Sequence, residues 1–264
     1  MALPSFPWRL RISHEGLRSL KLERPGRRLR VDPIAPIDAD DILVLTGSWP
    51  EQLEAAAALV RSGARPAVVA APEILAYLAS LGPVQAFPGP VSIDGLAIEL
   101  QPYAPIPWIS PAEAPGKLIS AAVRPDRALA RLGRRARLPR AAPRAFQLTL
   151  PDGGRLVYLG TALHSGTPPD WFEKIRAEWR APQWLVVGVD LGEEAAAAEL
   201  IPQMNAEQVI LTDLVSEVRR AMGLKIGLLT PLGDTLIERG LAAQVLVSGA
   251  GLRYERAPAG AGGH

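Results

Sequence analysis

Residues 31–52, VDPIAPIDADDILVLTGSWPEQ, constrain the fold of this chain more than any other stretch. They contain an uninterrupted apolar run, Ile42 to Leu45, which breaks at Thr46-Gly47-Ser48 before Pro50. A strand that is apolar at every position is typical of a sheet covered on both faces, and proline fits the first turn of a helix. Open α/β sheets bind ligands where such strands end. The sequence therefore predicts a strand, a loop and a helix, with a binding site at the loop.

Two further patterns organise the rest of the chain. Apolar and polar residues alternate over 8–13 and 17–22, which predicts a hairpin turning at Glu15-Gly16 with one face on the core. Strands and helices then alternate with short connections up to Gly82, which predicts parallel βαβ units. A second half, from Phe146 onward, repeats this order. With 264 residues, 48% of them hydrophobic, the chain is long and apolar enough for a sizeable core.

The stretch 31–52 resembles the metallo-β-lactamase fold, especially its metal-dependent hydrolase branch. In that family a hairpin ends in an I-D-P-like turn, and an Asp-flanked strand leads into a T-H-x-H-x-D-H metal loop. Val31-Asp32-Pro33 and the run from Asp40 to Thr46 match this scaffold. The metal loop is replaced, and its ligand positions hold Gly47, Trp49, Glu51 and Gln52.

This resemblance implies an α/β fold, a four-layer αββα sandwich of two mixed β-sheets flanked by helices. We expect one domain over residues 1–255, because each sheet needs the inner face of the other. Its N-terminal half would span about 1–123, a basic connector 124–144 and its C-terminal half 145–255. Residues 256–264 are expected to form a flexible tail.

The other metal-ligand positions that the resemblance implies are also changed. The third histidine position falls at Pro102-Tyr103-Ala104-Pro105, Thr161 replaces a bridging aspartate, and Asp213 replaces the last histidine. The three histidines of the chain, His14, His164 and His264, stand at none of these positions. A catalytic zinc needs about three protein ligands, mostly histidine, although carboxylates alone can hold Mg²⁺ or Ca²⁺ weakly. We predict no metal centre and no other cofactor.

A pocket is predicted at this end of the sheets, with Glu51, His164 and Asp213 as candidates for catalysis. Its predicted lining is Asp32, Thr46, Ser48, Trp49, Glu51, Tyr103, Trp108, Thr161 and Asp213. Trp49 is interpreted as an apolar plug, the alternative being one wall of a small pocket for a flat ligand. Asp32 and Glu51 also have structural interpretations, as a turn cap and as a favourable charge at a helix N-terminus.

His14 and His164 each have a structural and a functional interpretation. His14 lies in the predicted hairpin, either partly packed at the sheet end or close to the site. His164 precedes Ser165, with Asp170 nearby, which suggests a catalytic triad. Triads are assembled from distant segments around a strained nucleophile turn, so a solvated loop position is the preferred interpretation of His164.

The segment 124–144 carries eight arginines against one acid, a net charge of +7 compared with +2 for the whole chain. The arginines are Arg124, Arg127, Arg131, Arg134, Arg135, Arg137, Arg140 and Arg144, and the predicted contact residues are Arg127, Arg131, Arg134, Arg135 and Arg137. Such a segment attracts an acidic protein, a nucleic acid or an anionic membrane surface. The lack of interleaved aromatic residues argues against base stacking. The alternative interpretation is a solvated surface helix.

Loss of the metal ligands removes the groups that would activate a bound water. We therefore predict a degenerate, non-catalytic protein of this fold that acts as a binding, scaffold or regulatory protein. The alternatives are a hydrolase with an atypical or absent metal centre, acting on an ester, phosphoester or lactam-like substrate, and an accessory subunit that binds nucleic acid. The sequence has no cysteine, no secretory signal pattern and no apolar run of about 18 residues, so we expect a cytoplasmic protein.

Overall fold

The computed structural model describes residues 8–16, 18–24, 26–34, 36–104, 138–213 and 229–255. In this part of the chain, fourteen strands form two seven-stranded sheets, and five α-helices cover their outer faces. Each sheet consists of an antiparallel section followed by parallel strands, which are joined through helical crossovers except for the loop between the third and fourth strands. Antiparallel strands need only short turns, whereas parallel neighbours need a longer crossover, which is usually a helix.

The first sheet has the strand order β14-β1-β2-β3-β4-β5-β6. Its strands are β1 (Trp8–Gly16), β2 (Ser19–Arg24), β3 (Arg27–Val31), β4 (Ile42–Leu45), β5 (Ala67–Ala70), β6 (Gln85–Phe87) and β14 (Gly251–Glu255). Strands β14, β1, β2 and β3 pair antiparallel, and β3 to β6 pair parallel. Helices α1 (Pro50–Arg61) and α2 (Pro72–Ala79) form the crossovers and both start at a proline, a residue suited to that position.

The second sheet has the same plan, with the strand order β13-β12-β11-β10-β9-β8-β7. Its strands are β7 (Val91–Ile93), β8 (Leu96–Pro102), β9 (Arg144–Thr149), β10 (Arg155–Gly160), β11 (Trp184–Gly188), β12 (Gln208–Thr212) and β13 (Ala243–Leu246). Its helices are α3 (Pro169–Glu178), α4 (Glu194–Leu200), a 3₁₀ turn (Ile201–Met204) and α5 (Thr230–Glu238). Strands β7 to β10 pair antiparallel and β10 to β13 parallel.

Three apolar cores lie between the layers. Both sheets contribute to the central core, for example through Val44 of β4 and Phe146 of β9. Successive side chains of a strand point to opposite faces, so Leu43 and Leu45 of β4 pack instead under α1 and α2 in a second core. The third core lies between the second sheet and α3, α4 and α5. The order helix, sheet, sheet, helix is the predicted αββα sandwich.

Two details differ from the sequence prediction. Strand β1 continues through Gly16, so the hairpin turn lies at Arg18 rather than at Glu15-Gly16. Strand β14 was not predicted; it returns to the first sheet and pairs with β1, for example Ile12 with Leu252. A five-residue strand with a distant partner carries too short a pattern to be identified from sequence alone.

Residues 105–137, 214–228 and 256–264 lie outside the described part of the chain. The predicted connector helix, most of the arginine segment and the predicted tail fall within these ranges. The single-domain boundaries stay a prediction. Among the described residues, no helix is both long and apolar enough to cross a membrane.

Candidate functional site

Five of the predicted site residues lie together at the end of the sandwich where β3, β4, β8 and β10 terminate: Asp32, Thr46, Trp49, Tyr103 and Thr161. The Arg144 N–H donates to the Thr46 carbonyl at 2.7 Å, which joins the loop after β4 to the start of β9. The Tyr103 N–H donates to the Pro143 carbonyl at 2.9 Å, which holds the end of β8 beside the same segment. Both sheets therefore contribute to one polar cluster, defined here as Arg18, Asp32, Thr46, Trp49, Tyr103, Tyr158 and Thr161.

Asp32 is fully buried in the polar cluster, directly after β3. Its carboxylate accepts a hydrogen bond from the Thr46 N–H at 2.7 Å and a second, short one from the Thr46 hydroxyl. Its backbone φ of 44° is left-handed, a conformation that aspartate tolerates better than most residues. Burial raises the pKa of the Asp32 carboxyl from 3.8 to about 6, whereas the Thr46 hydrogen bonds, the Arg18 charge and the Trp49 indole act in the opposite direction.

Arg18 and Tyr158 are the two members of the polar cluster that were not predicted from the sequence, and Arg18 is the charged one. Its side chain is buried, with a relative exposure of 5%, and its guanidinium carbon lies 3.9 Å from the centre of the Trp49 ring. This is the geometry of a cation–π contact. Arg18 has a φ of 74°, an uncommon conformation for a bulky residue and one that is often found at functional sites. No motif singles out this arginine, because its importance depends on a contact with a distant loop.

Trp49 occupies the space above Gly47. A Cβ atom at position 47 would lie 2.9 Å from both Cε2 and Nε1 of the indole, closer than atoms pack. The indole is thus enclosed between the Gly47 backbone and the Arg18 guanidinium. Any larger residue at position 47, including histidine, requires the indole to move.

Tyr103 connects β8 to β10 through its hydroxyl group. The Thr161 N–H donates to the Tyr103 hydroxyl at 3.4 Å, and the two hydroxyl oxygens are 3.5 Å apart. A Cβ atom at position 160 would lie 2.9 Å from this hydroxyl, so the contact requires Gly160. Burial raises the pKa of Tyr103 and of Tyr158, and the Arg18 charge partly offsets the rise in both.

The remaining predicted pocket residues are more dispersed. The Ser48 hydroxyl accepts a hydrogen bond from the Ala141 N–H at 3.1 Å. Glu51 lies half-buried in the first turn of α1. Asp213 follows β12, two strands from β10, and therefore lies about 10 Å along the sheet from Thr161. Trp108 and the predicted contact arginines Arg127, Arg131, Arg134, Arg135 and Arg137 are outside the described residues.

The solvated interpretation of His164 is wrong. The side chain is buried, with a relative exposure of 3%. Its Nδ1 accepts a hydrogen bond from the Gly166 N–H at 3.1 Å, and its Nε2 lies 3.2 Å from the Ala104 carbonyl. A carbonyl can only accept, so Nε2 is the protonated nitrogen. His164 thus ties the loop after β10 to the end of β8.

The structure does not assemble the triad suggested by His164, Ser165 and Asp170. The Ser165 N–H and hydroxyl both donate to the Glu193 carboxylate, at 2.6 and 3.2 Å. Asp170 is exposed in the first turn of α3. Both ring nitrogens of His164 already contact backbone groups, so neither is directed at the serine. His14 is buried, with a relative exposure of 1%, rather than partly packed.

The chain is similar to known proteins in its three-dimensional structure but not in its sequence. No protein-family model and no curated protein matches the chain. Igni18, a metallo hydrolase from the archaeon Ignicoccus hospitalis, is similar in structure with a TM-score of 0.63 and 14% identity, covering 94% of this chain and 99% of Igni18. An isothiocyanate hydrolase from Delia radicum gut bacteria is similar with a TM-score of 0.56 and 12% identity, covering 93% and 99%.

CmlA, a diiron β-hydroxylase from Streptomyces venezuelae, is also similar in structure. The TM-score is 0.61 with 10% identity over 95% of this chain, which spans 55% of the length of CmlA. These similarities extend over nearly the whole of the present chain and include both sheets. The chain has the metallo-β-lactamase fold.

In the described part of the chain, the residues at the candidate site do not fit the metal centre that the metallo-β-lactamase fold implies. Gly47 offers no side-chain donor, and the Trp49 indole carries an N–H and no lone pair for a metal. The buried guanidinium of Arg18 adds a positive charge at the Trp49 position. Among the described residues, no three His, Cys, Asp or Glu side chains converge in a way that could hold a metal ion.

Proposed function

We propose that this chain is a non-catalytic protein of the metallo-β-lactamase fold, a degenerate member that binds a partner or ligand. The observation that carries the proposal is the stacking of Arg18 on Trp49 above Gly47. Gly47 and Trp49 lie in the loop where the resemblance expects metal ligands, and Arg18 contacts this loop from the turn between β1 and β2. We include a cytoplasmic location in the proposal, since the chain contains no cysteine.

A guanidinium can replace only part of what a metal ion supplies in a hydrolase. Metal ions in hydrolases polarise the substrate and lower the pKa of a bound water. A guanidinium supplies positive charge and planar hydrogen-bond donors but remains protonated at all accessible pH values. Arg18 therefore supports recognition of a negatively charged group and does not supply an activated water.

The first experiment is to measure metal content by elemental mass spectrometry on protein purified without a histidine tag or a chelating column. We expect Zn, Mn, Fe and Ni far below one equivalent per chain. About one equivalent that survives dialysis would contradict the proposal and assign the chain to the metal-dependent hydrolases. Hydrolysis assays with chromogenic ester, phosphoester and lactam substrates should show no turnover in the same preparation.

A hydrolase acting at the same cluster is the second candidate, and the observation that favours it is Asp32. A buried carboxyl with a pKa of about 6 can exchange a proton near neutral pH, as general acids and bases do. Turnover of any of the three substrate classes that is lost in Asp32→Asn, but retained in the exposed control Asp170→Asn, would establish this candidate. Retention of the activity in Glu51→Ala and Asp213→Ala would then separate Asp32 from the carboxylates predicted from sequence.

The arginine segment 124–144 is the proposed contact with an anionic macromolecule, with a nucleic-acid accessory role as the alternative. Charge reversal of Arg131, Arg134 and Arg135 to glutamate should abolish capture of such a partner, whereas Glu51→Ala and Asp213→Ala should leave it unchanged. Nucleic-acid binding through phosphates weakens steeply with added salt. A flat salt response would exclude the nucleic-acid role.

A further inference from the structure

Arg18 is a buried cation whose hydrogen-bonding capacity is not used within the described structure. One face of its guanidinium lies on the Trp49 ring. Its Nε, buried from solvent, has no hydrogen-bond partner among the described residues. The ion pairs between described residues do not include Arg18. Buried charges in proteins are normally paired, so we expect the Arg18 guanidinium to bind an anion.

Asp32 does not serve as the contact partner, although its charge acts on Arg18 from nearby. Both of its carboxylate oxygens accept hydrogen bonds from Thr46, and Arg18 and Asp32 form no ion pair within 4.0 Å in the described structure. The Arg18 charge also acts on the hydroxyls of Tyr103 and Tyr158, which are uncharged hydrogen-bonding groups. The N–H edge of the guanidinium thus remains for a ligand from outside the cluster.

We propose that the polar cluster is a binding site for a carboxylate ligand, held by the N–H edge of Arg18 beside the Trp49 indole. This inference rests on the proposed binding function and names the class of ligand. A guanidinium presents parallel N–H donors that match the two oxygens of a carboxylate.

The negative charge of Asp32 decides between a carboxylate and a phosphate. A second anion in the cluster is repelled by Asp32, and a dianion is repelled more strongly than a monoanion at the same distance. Phosphate is a mixture of monoanion and dianion near neutral pH, whereas a carboxylate carries a single charge. The indole also gives an apolar surface for the carbon atoms of a carboxylic acid. A spherical halide would use neither the paired donors nor this surface.

The test is a titration of the full chain with sodium propionate, sodium phosphate and sodium chloride at constant ionic strength. The readouts are the thermal unfolding midpoint and the tryptophan fluorescence. We expect propionate to raise the midpoint saturably and to change the fluorescence, with phosphate and chloride having at least tenfold weaker effects. An equal response to all three salts would overturn the carboxylate assignment.

Variants locate the effect at Arg18. Arg18→Met keeps an unbranched apolar stem and removes the donors, and should weaken propionate binding at least tenfold. Arg18→Lys keeps the charge without the planar fork and should fall between Arg18→Met and the wild type. The matched control is Arg65→Met, which removes the same charge from an exposed position and should bind propionate as the wild type does. Unchanged binding in folded Arg18→Met would overturn the proposal.

A measurement on the wild-type chain covers the case in which Arg18→Met does not fold. In ¹⁵N-labelled protein, NMR detects the Nε–H resonances of individual arginines, buried ones included. Propionate should shift the Arg18 Nε–H resonance saturably and leave that of the exposed Arg65 unchanged; an Arg18 resonance that does not move, or equal shifts of both, would overturn the proposal. If the protein contains no metal but fails this test, only the carboxylate site is refuted. If it contains about one metal ion per chain, the non-catalytic function is refuted.

Discussion

The Asp32 carboxylate joins the ends of two neighbouring strands, because its Oδ1 accepts a hydrogen bond from the Thr46 backbone N–H at 2.7 Å. The residue follows β3 and its partner follows β4. The carboxyl is fully buried, and its pKa of about 6 compares with an ordinary value of 3.8. The structural role of Asp32 is therefore a connection between two loops of the candidate site rather than a cap within its own turn.

This shift predicts a pH dependence of stability. Between pH 3.8 and about 6 the folded chain holds a proton on Asp32 that the unfolded chain releases, so the free energy of unfolding falls as the pH rises through this window. The part of the unfolding free energy that depends on Asp32 protonation amounts to about 2–3 kcal/mol. Urea unfolding from pH 4 to 7 should show it in the wild type and in Asp170→Asn, which changes an exposed carboxylate. Asp32→Asn should lack it, and an unchanged slope in that variant would contradict the assigned pKa.

The contact between Gly47 and Trp49 predicts a steric penalty. Gly47→Ala places its Cβ 2.9 Å from the indole and should lower the free energy of unfolding by about 1–3 kcal/mol, as overpacking does. Gly89→Ala is the control, because its Cβ would meet no atom within 4 Å. In a Trp49→Ala background the penalty of Gly47→Ala should largely disappear in a double-mutant cycle. An equal penalty in both backgrounds would show that the indole is not the obstacle.

Gly160 and Tyr103 give a second steric prediction with a closely matched control. Gly160→Ala and Gly153→Ala both place alanine at a left-handed φ, 56° and 82°, which costs about 1 kcal/mol. Only the Cβ at position 160 meets an obstacle, the Tyr103 hydroxyl at 2.9 Å; position 153 has none within 4 Å. Gly160→Ala should therefore be more destabilising by about a further 1–3 kcal/mol. Similar unfolding free energies for the two variants would argue against the Tyr103 contact.

His164 is predicted to contribute to stability and not to catalysis. His164→Ala removes the hydrogen bonds to the Gly166 N–H and the Ala104 carbonyl, and an intramolecular hydrogen bond contributes about 0.5–1.5 kcal/mol to stability. Chemical denaturation should detect this loss, whereas propionate binding should be retained at temperatures where the variant is folded. Loss of a hydrolytic activity in folded His164→Ala would instead revive the catalytic interpretation.

Much of the fold could be predicted because its signals are local. The apolar run of β4, the alternation in the first hairpin and the proline that starts α1 each specify an element from adjacent residues. Strand β14 could not be predicted, because its partner β1 lies at the other end of the chain. The predicted site residues Asp32, Thr46, Trp49, Tyr103 and Thr161 do lie together, since strands that end at one edge of a sheet bring their loops into proximity.

By itself the sequence determined the order of strands and helices, the four-layer arrangement and the loop that lacks histidines. Hydrophobic periodicity specifies the strands and helices, because it decides which face of each element must be buried, whereas the four-layer arrangement and the loss of the histidines followed from the resemblance to the metallo-β-lactamase fold. Only the tertiary structure decided that Arg18 lies on Trp49 and that His164 is buried against Ala104. These contacts join segments far apart in sequence, and each depends on which strands of one sheet lie side by side and so bring their loops together. No local pattern encodes that strand order, and it is the strand order of the first sheet that places a buried cation in the candidate site.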